Sequence, residues 1–386
     1  MKKNIHIILG LIMLLVGCRE PYDPEIEPTD IKILVVEGYL DTEGLPSLLN
    51  LSYTRNIQSD EDFNQIVFPS GEVFLESEGG EQFPLNSLGE GTFEFAYDIP
   101  EDGNYRLRIF TTDGNSYSSE WIKPILTPEI IDVGFDKYEQ GVEVFLTTKG
   151  DENADDFLWT FEETYAFRPK LATAYRYDPE LKTVVLASND LRTDLCYREL
   201  SNADLILETS SRFEDQFVFR QTINQIPTGD ERLTVRYSIL ISQKALDKGA
   251  SDFWEIMRKN TDDLGSIFSP LPSNIGGNIK NDQNPNAPVV GYLSLGTVKQ
   301  RRLFIGFQDI LPWPRLDVPE YFGCIAEQDT IFVDEYESAF MSGGYTPAIP
   351  IFCENCYDPI GFRKAERRCT DCTLRGTNVK PDFWDE

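Results

Sequence analysis

Histidine is all but absent: one occurs in 386 residues, at position 6, inside an apolar N-terminal segment of the kind that export removes. Without imidazole, Ser-His-Asp and Cys-His nucleophilic systems, helical two-histidine zinc sites and histidine proton shuttles are excluded. Basic residues are also scarce, 35 Lys and Arg against 65 Asp and Glu, for a formal charge of −30. Nucleic-acid binding relies on Lys and Arg against phosphate, so no nucleic-acid partner is expected. The same acidity repels anionic lipid surfaces and keeps an exposed protein soluble. Beyond residue 17 no second apolar run approaches the roughly 20 residues of a membrane span, and no internal repeat or coiled-coil pattern occurs. A carboxylate pair remains as hydrolytic machinery, but among 65 acids neighbouring acids carry no information.

The first eighteen residues carry the three parts of a secretory signal. Lys2 and Lys3 open it, an apolar stretch over 5–16 is interrupted only by His6 and Gly10, and Gly17 precedes Cys18. Leu15-Val16-Gly17-Cys18 fits the bacterial lipobox, in which the cysteine is acylated and becomes the first residue. An ordinary signal peptide with an incidental cysteine and an uncleaved anchor helix are the alternatives. The run is short for a span, and a small residue followed by cysteine favours the lipobox. Cys18 is therefore the expected lipid anchor, and several acyl chains hold a protein stably to a bilayer. Cleavage leaves 33 basic against 65 acidic residues. Three prolines and four acids over 19–28 make an extended, solvated tether.

From residue 31 the signals are those of strands. Residues 32–40 (KILVVEGYL) are rich in β-branched residues, and 47–57 alternate, with Leu49, Leu51 and Tyr53 on one face. Strands follow at 72–77 and 92–97. The clearest hairpin is 105–121, where Tyr105, Leu107 and Ile109 face one way, Arg106 and Arg108 the other, and Asp113-Gly114-Asn115 turns the chain. Pro124 and Pro128 mark a boundary. Further strands are expected at 142–147, 157–165, 233–241, 289–295 and 301–307. One helix is expected at 251–260, capped by Ser251, with Phe253, Trp254 and Met257 as its packing stripe and Gly249 separating it from 244–246. The fold class is mainly β: an N-terminal immunoglobulin-like β-sandwich followed by a larger β-rich domain with one short helix and a cysteine-stapled C-terminus. The expected units are 1–17 signal peptide, 18–30 lipidated tether, 31–125 sandwich, 126–345 larger β-rich domain and 346–386 cysteine-rich segment.

Cys353-x2-Cys356-x12-Cys369-x2-Cys372 has the spacing of a four-thiolate zinc ribbon. Export places the chain where thiols pair, and with Cys196 and Cys324 six cysteines remain once Cys18 is lipidated, an even number. Disulfides are therefore favoured over zinc, and both over a redox CxxC, for which no thioredoxin-like βαβ setting exists. Whether 353/356 pair with 369/372, and Cys196 with Cys324, stays open, because six cysteines allow 15 connectivities. Asp151-Glu152-Asn153-Ala154-Asp155-Asp156 spaces oxygen ligands as calcium loops do, but lacks the turn glycine and distal Glu of an EF-hand and reads better as a solvated acidic turn. Residues 274–286 (NIGGNIKNDQNPN) form a long polar loop of the kind that often carries recognition, a plain connection being the commoner case. No catalytic residue, metal ligand or cofactor site is identified.

Several short stretches, taken in order, resemble the domain of unknown function 4249 family of Bacteroidota lipoproteins. They are Cys18-x-Glu20-Pro21-Tyr22-Asp23-Pro24, Leu34-Val35-Val36-Glu37-Gly38, Gly277-Asn278-Ile279, Val290-Gly291-Tyr292, and Cys369-Thr370-Asp371-Cys372 leading to Lys380-Pro381-Asp382-Phe383-Trp384. The resemblance covers nearly the whole mature chain. It implies an outer-membrane lipoprotein, often encoded beside a TonB-dependent transporter with a carboxypeptidase-like regulatory domain. It carries over no catalytic residue, only Cys18 as anchor. Glu20, Asp23 and Glu25 resemble acidic signals for surface display, with Arg19 intervening. The expectation is thus a non-catalytic lipoprotein at the outer membrane, facing the cell surface and serving a TonB-dependent outer-membrane transporter by substrate capture or barrel capping. The alternative is a free-standing glycan- or peptide-binding adhesin, which exposed aromatics on one sheet face would favour. A two-carboxylate hydrolase ranks third, since fold alone does not fix function.

Overall fold

The computed structural model describes residues 32–54, 68–201, 205–262, 277–314 and 318–385. Cys18, the signal segment 1–17 and the tether 18–30 lie outside them, as do 55–57 of the second expected strand and 274–276 of the polar loop. The chain is mainly β, with 49% of residues in strands and 15% helical. No helix among the described residues is long and apolar enough to cross a membrane.

The first unit is a two-layer β-sandwich. One layer runs Val289–Gly296, Leu34–Asp41, Ser47–Tyr53, Thr92–Phe95, Asn86–Gly89; the other runs Ile279–Asn281, Ser116–Ser119, Tyr105–Thr111, Gly71–Ser77, Gln82–Pro84. Period-two alternation sends Leu34, Val36, Leu49, Leu51, Phe93 and Phe95 inward from one layer, and Val73, Leu75, Leu107 and Ile109 from the other. This unit does not close at residue 125 as the sequence suggests. Each layer takes its last strand from 279–296, and Val289–Gly296 lies parallel to Leu34–Asp41. A parallel neighbour arrives by crossover, not by a local hairpin, so nothing near residue 125 announces it. The backbones meet closely there: a Cβ on Gly291 (φ +144°) would sit 2.1 Å from the Val36 carbonyl oxygen.

The second unit faces the sheet Phe217–Pro227, Gly141–Lys149, Ile130–Lys137 against Cys196–Ser201, Asp156–Phe167, Arg236–Leu246, Val298–Gly306, with Ile206–Thr209 also paired to the start of Asp156–Phe167. Between them lie Phe157, Trp159, Phe167, Tyr237, Ile239 and Ile241, all fully buried. The buried indole is satisfied: Trp159 Nε1 donates to Gln243 Oε1 at 2.9 Å, and Gln243 Nε2 donates to the Pro128 carbonyl at 2.7 Å.

The two sandwiches share a continuous run of chain. Val289–Gly296 belongs to the first and Val298–Gly306 to the second, with only Thr297 between them. Buried polar groups fasten this crossing. Asp41 accepts from the amides of Glu43, Leu45 and Val298. The Thr127 amide donates to Thr297 Oγ1 at 2.8 Å, and Tyr39 Oη donates to the Ala245 carbonyl.

The helix spans Lys248–Asp262, longer than expected. The Asp247 carboxylate, not Ser251, accepts from the Ala250 amide at 2.8 Å, so Gly249 falls inside the first turn. Phe253 packs between Trp254 and Tyr292, whose hydroxyl in turn donates to Asp247.

A third module begins before residue 346. Its sheet orders Thr330–Phe332, Gly361–Glu366 and Tyr345–Ile351, and the hairpin Tyr175–Asp178/Thr183–Leu186 from the middle of the chain packs beside it. Tyr336, Phe340 and Phe362 form its core with Tyr175, Tyr177 and Val184. Pro347 and Pro350 sit in Tyr345–Ile351, an edge strand, where a missing N–H is tolerated. The chain then returns to the second sandwich, where Trp384 is buried against Tyr197 and Phe304 and its carbonyl accepts from Arg236 at 2.6 Å.

Candidate functional site

A group of buried ionisable side chains surrounds Glu163. Its Oε1 accepts from Tyr237 Oη (2.7 Å), Asn224 Nδ2 (2.9 Å) and Arg232 (2.7 Å), and Arg232 also forks onto Asp230. Burial, then the Glu163 charge, pushes the Tyr237 hydroxyl far above its ordinary range. Burial works against the Arg232 cation, but Asp230 and Glu163 outweigh it and bind its proton more firmly still. Beside this group Arg375 makes a bidentate pair with Glu231 at 2.7 and 2.9 Å, its guanidinium packed between the Phe167 and Tyr321 rings. Every carboxylate here faces a cation. Such a group holds strands Asp156–Phe167, Phe217–Pro227 and Arg236–Leu246 to the 230–233 turn and has no free acid to offer a substrate.

The acidic run 151–156 is a turn: Asp151 Oδ1 accepts from the amides of Asn153 (2.8 Å) and Ala154 (3.0 Å), while Asp156 is buried at the start of its strand. The polar loop is largely structural as well. Asn278 is buried and clasps Leu293, donating to its carbonyl and accepting from its amide, both at 2.9 Å. Ile279–Asn281 is a strand of the first sandwich.

The cysteines pair as Cys196–Cys372, Cys324–Cys369 and Cys353–Cys356, with Cα separations of 5.7, 5.5 and 5.1 Å. The ribbon-like spacing therefore does not bring four thiols together. Cys369 lies in the core of the third module and Cys372 in that of the second sandwich, so the CxxC at 369–372 straddles two cores. Cys353–Cys356 closes a tight exposed loop, in which the Cys356 amide donates to the Cys353 carbonyl. Among the described residues no group of three or more His, Cys, Asp or Glu side chains is placed to hold a metal ion.

That loop crowns the feature best suited to a function. At this end of the third module Phe332, Gly361 and Ile351 share one cross-strand row, and the Ile360 amide donates to the Ile351 carbonyl. Phe332 and Ile351 flank Gly361 on that row. Around it Phe332 is 46% exposed, Val333 65%, Phe352 49%, Ile360 43% and Tyr357 fully exposed. Asp334, Glu335, Glu354 and Asp358, all exposed, rim the patch. Single exposed apolar residues are ordinary, but a cluster with a polar rim marks an interaction surface. The Cys353–Cys356 disulfide closes the loop between Phe352 and Tyr357. Sequence reading located the cysteines of this loop but not the patch, because exposure leaves no local signature. The one hint was the run of apolar residues through 349–352 and 360 that period-two burial does not use.

Over residues 19–302 the chain matches the family described as Domain of unknown function (DUF4249). No curated protein matches it. Among solved structures it is similar to a two-domain fibronectin type III segment of chicken tenascin, at 10% identity over 56% of this chain and 100% of that one, with a TM-score of 0.16. Escherichia coli alpha-2-macroglobulin in its native conformation is similar at 12% identity over 57% of this chain and 14% of that one, TM-score 0.17. The Yersinia pseudotuberculosis adhesin InvE is similar at 12% identity over 55% of each chain, TM-score 0.15.

Proposed function

This chain belongs to the DUF4249 family, and from that premise we propose that it is a non-catalytic lipoprotein, held to the outer membrane through Cys18 and facing the cell surface, that serves a TonB-dependent transporter by docking on it through the tip of the third module. The observation that carries this reading is the apolar patch of Phe332, Val333, Phe352, Tyr357 and Ile360 inside its acidic rim. An apolar centre with a polar rim is the anatomy of a protein interface, and aromatic side chains supply most of the binding energy at such sites. The rim selects a partner surface with Lys or Arg around an apolar centre. The lipobox supports a membrane address, and the short Pro- and acid-rich tether would keep the body close to a barrel in the same membrane.

The test is a mild-detergent pull-down of tagged full-length protein from its native membrane, run beside the double variant Phe352→Ser/Tyr357→Ser. A TonB-dependent transporter recovered in stoichiometric amount with the parent and at least about tenfold less with the variant supports the reading, tenfold being about 1.4 kcal/mol. Equal recovery with both refutes the tip. Recovery of the lipoprotein alone, with a control complex surviving the detergent, refutes the partner.

A further inference from the structure

The three disulfides differ most in what covers them. Cys196 and Cys372 are wholly buried in the core of the second sandwich, and Cys324 and Cys369, 7% and 1% exposed, in that of the third module. Cys353 is exposed at the surface of the tip, and its partner Cys356 is half-buried. A thiolate must reach a disulfide sulfur to exchange with it. The two covered bridges grant that access only when a core opens. The bridge at 353–356 is open to attack in the folded protein.

The same bridge holds the tip together. Phe352 precedes it and Tyr357 follows it, and it keeps the Cα atoms of Cys353 and Cys356 5.1 Å apart. Between Phe352 and Ile360, two backbone hydrogen bonds order the chain among the described residues. The Cys356 amide donates to the Cys353 carbonyl at 3.2 Å, and the Ile360 amide to the Ile351 carbonyl at 2.8 Å. With so few bonds, the shape of the loop rests on the covalent link. Only Glu354 and Asn355 lie between the two cysteines. Opening so short a ring returns little entropy to the unfolded chain and leaves the rest of the fold standing.

We propose that Cys353–Cys356 is a reversible thiol–disulfide switch, opened by a dithiol reductant, that takes the tip of the third module apart while the other two bridges stay intact. A thiolate of the dithiol attacks Cys353 Sγ, the more exposed sulfur. The Sγ–Sγ bond breaks, and its electron pair leaves with Cys356 Sγ, which takes up a proton. The second thiolate of the dithiol then attacks its own sulfur now joined to Cys353. Cys353 Sγ is released and takes up a proton, and the dithiol departs as its disulfide. The chain gains two electrons and two protons, and the dithiol loses both. A disulfide oxidant reverses the exchange, and the short separation keeps the two thiols near one another for closure. Glu354 within the ring and Asp358 beside it, both exposed, repel an anionic thiol and so favour a neutral or cationic reductant. That opening also releases a transporter rests on the function proposed above; the reduction and the opening do not.

The test treats the full-length protein under native conditions with dithiothreitol, alkylates samples at intervals and maps the labelled peptides, while hydrogen exchange follows 349–361. The expected result is labelling of Cys353 and Cys356 at least about tenfold faster than of Cys196, Cys324, Cys369 and Cys372. Exchange over 352–360 should quicken with it and slow again when a disulfide oxidant is added to an unalkylated sample. Labelling of any of the other four cysteines as early overturns the proposal. So does labelling of Cys353 and Cys356 with exchange unchanged. The pull-down described above, repeated with the permanently open variant Cys353→Ala/Cys356→Ala, separates the switch from the docking. The expected result is transporter recovered with the parent and at least about tenfold less with the variant. Equal recovery with both overturns the switch and leaves the docking standing. Recovery with neither refutes the docking, and labelling and exchange then decide the switch by themselves.

Discussion

Removing each disulfide in turn should destabilise the protein in the order of the loop it closes. The three bridges span 176, 45 and 3 residues. Loop-closure entropy in the unfolded chain then gives about 5 kcal/mol for Cys196–Cys372, about 4 for Cys324–Cys369 and about 1.6 for Cys353–Cys356. Burial reinforces the ranking: Cys196 and Cys372 are wholly buried, Cys324 and Cys369 nearly so, whereas Cys353 is exposed. Paired alanine variants avoid leaving a lone thiol. Denaturant unfolding followed by tryptophan fluorescence reads the loss, because Trp384 sits beside Tyr197, next to the first bridge. Non-reducing peptide mapping of the parent establishes the pairs independently. The reasoning fails if loss of the Cys353–Cys356 bridge costs as much as loss of Cys196–Cys372, or if mapping joins Cys353 and Cys356 to Cys369 and Cys372.

Two further outcomes follow from the buried ion pairs. Arg232→Leu leaves Glu163 buried beside a single tyrosine and an asparagine, and should cost about 3–5 kcal/mol in denaturant unfolding; an effect within about 0.5 kcal/mol would show the pair to be incidental. Burial opposes the Asp194 charge, but hydrogen bonds and charge from Arg192 at 2.7 Å and from Arg168 at 3.0 Å hold its carboxyl below the ordinary range. A depressed carboxyl contributes stability above its unfolded pKa of about 3.9, and this is lost as pH falls through the lower folded value. The melting temperature should therefore drop on acidification below about pH 4, and Asp194→Asn should flatten that part of the profile; an unchanged slope would contradict the assignment.

How much of this was legible depends on the range of the interaction. The hairpin at 105–119 was plain, because alternation and Asp113-Gly114 are local. In the sequence, 279–281 belongs to a polar loop and 289–295 to a strand of the larger domain, because their partners lie more than 150 residues away, at Tyr117–Ser119 and Leu34–Asp41. The structure also explains two stretches that carried the family resemblance. A Cβ on Gly277 would lie 1.6 Å from the Gly291 carbonyl oxygen, so these glycines mark one close backbone approach. Disulfides were legible from the even cysteine count, but their connectivity was not, for a geometric reason: three residues take the chain from Cys369 in one core to Cys372 in another. Arg106 and Arg108 stand opposite Leu107 as their alternation implies, but the exposure of the 332–360 tip could not be read, because it depends on what the remaining chain leaves uncovered.

The central claim, that the tip of the third module docks on a transporter, is tested most directly by photo-crosslinking in the native membrane. A photoreactive amino acid is placed at Tyr357, fully exposed on the tip, and in a second strain at Tyr138, half exposed on the second sandwich. The account predicts a crosslink from position 357 to a TonB-dependent transporter and none from position 138. A crosslink to that transporter from position 138 alone would contradict it.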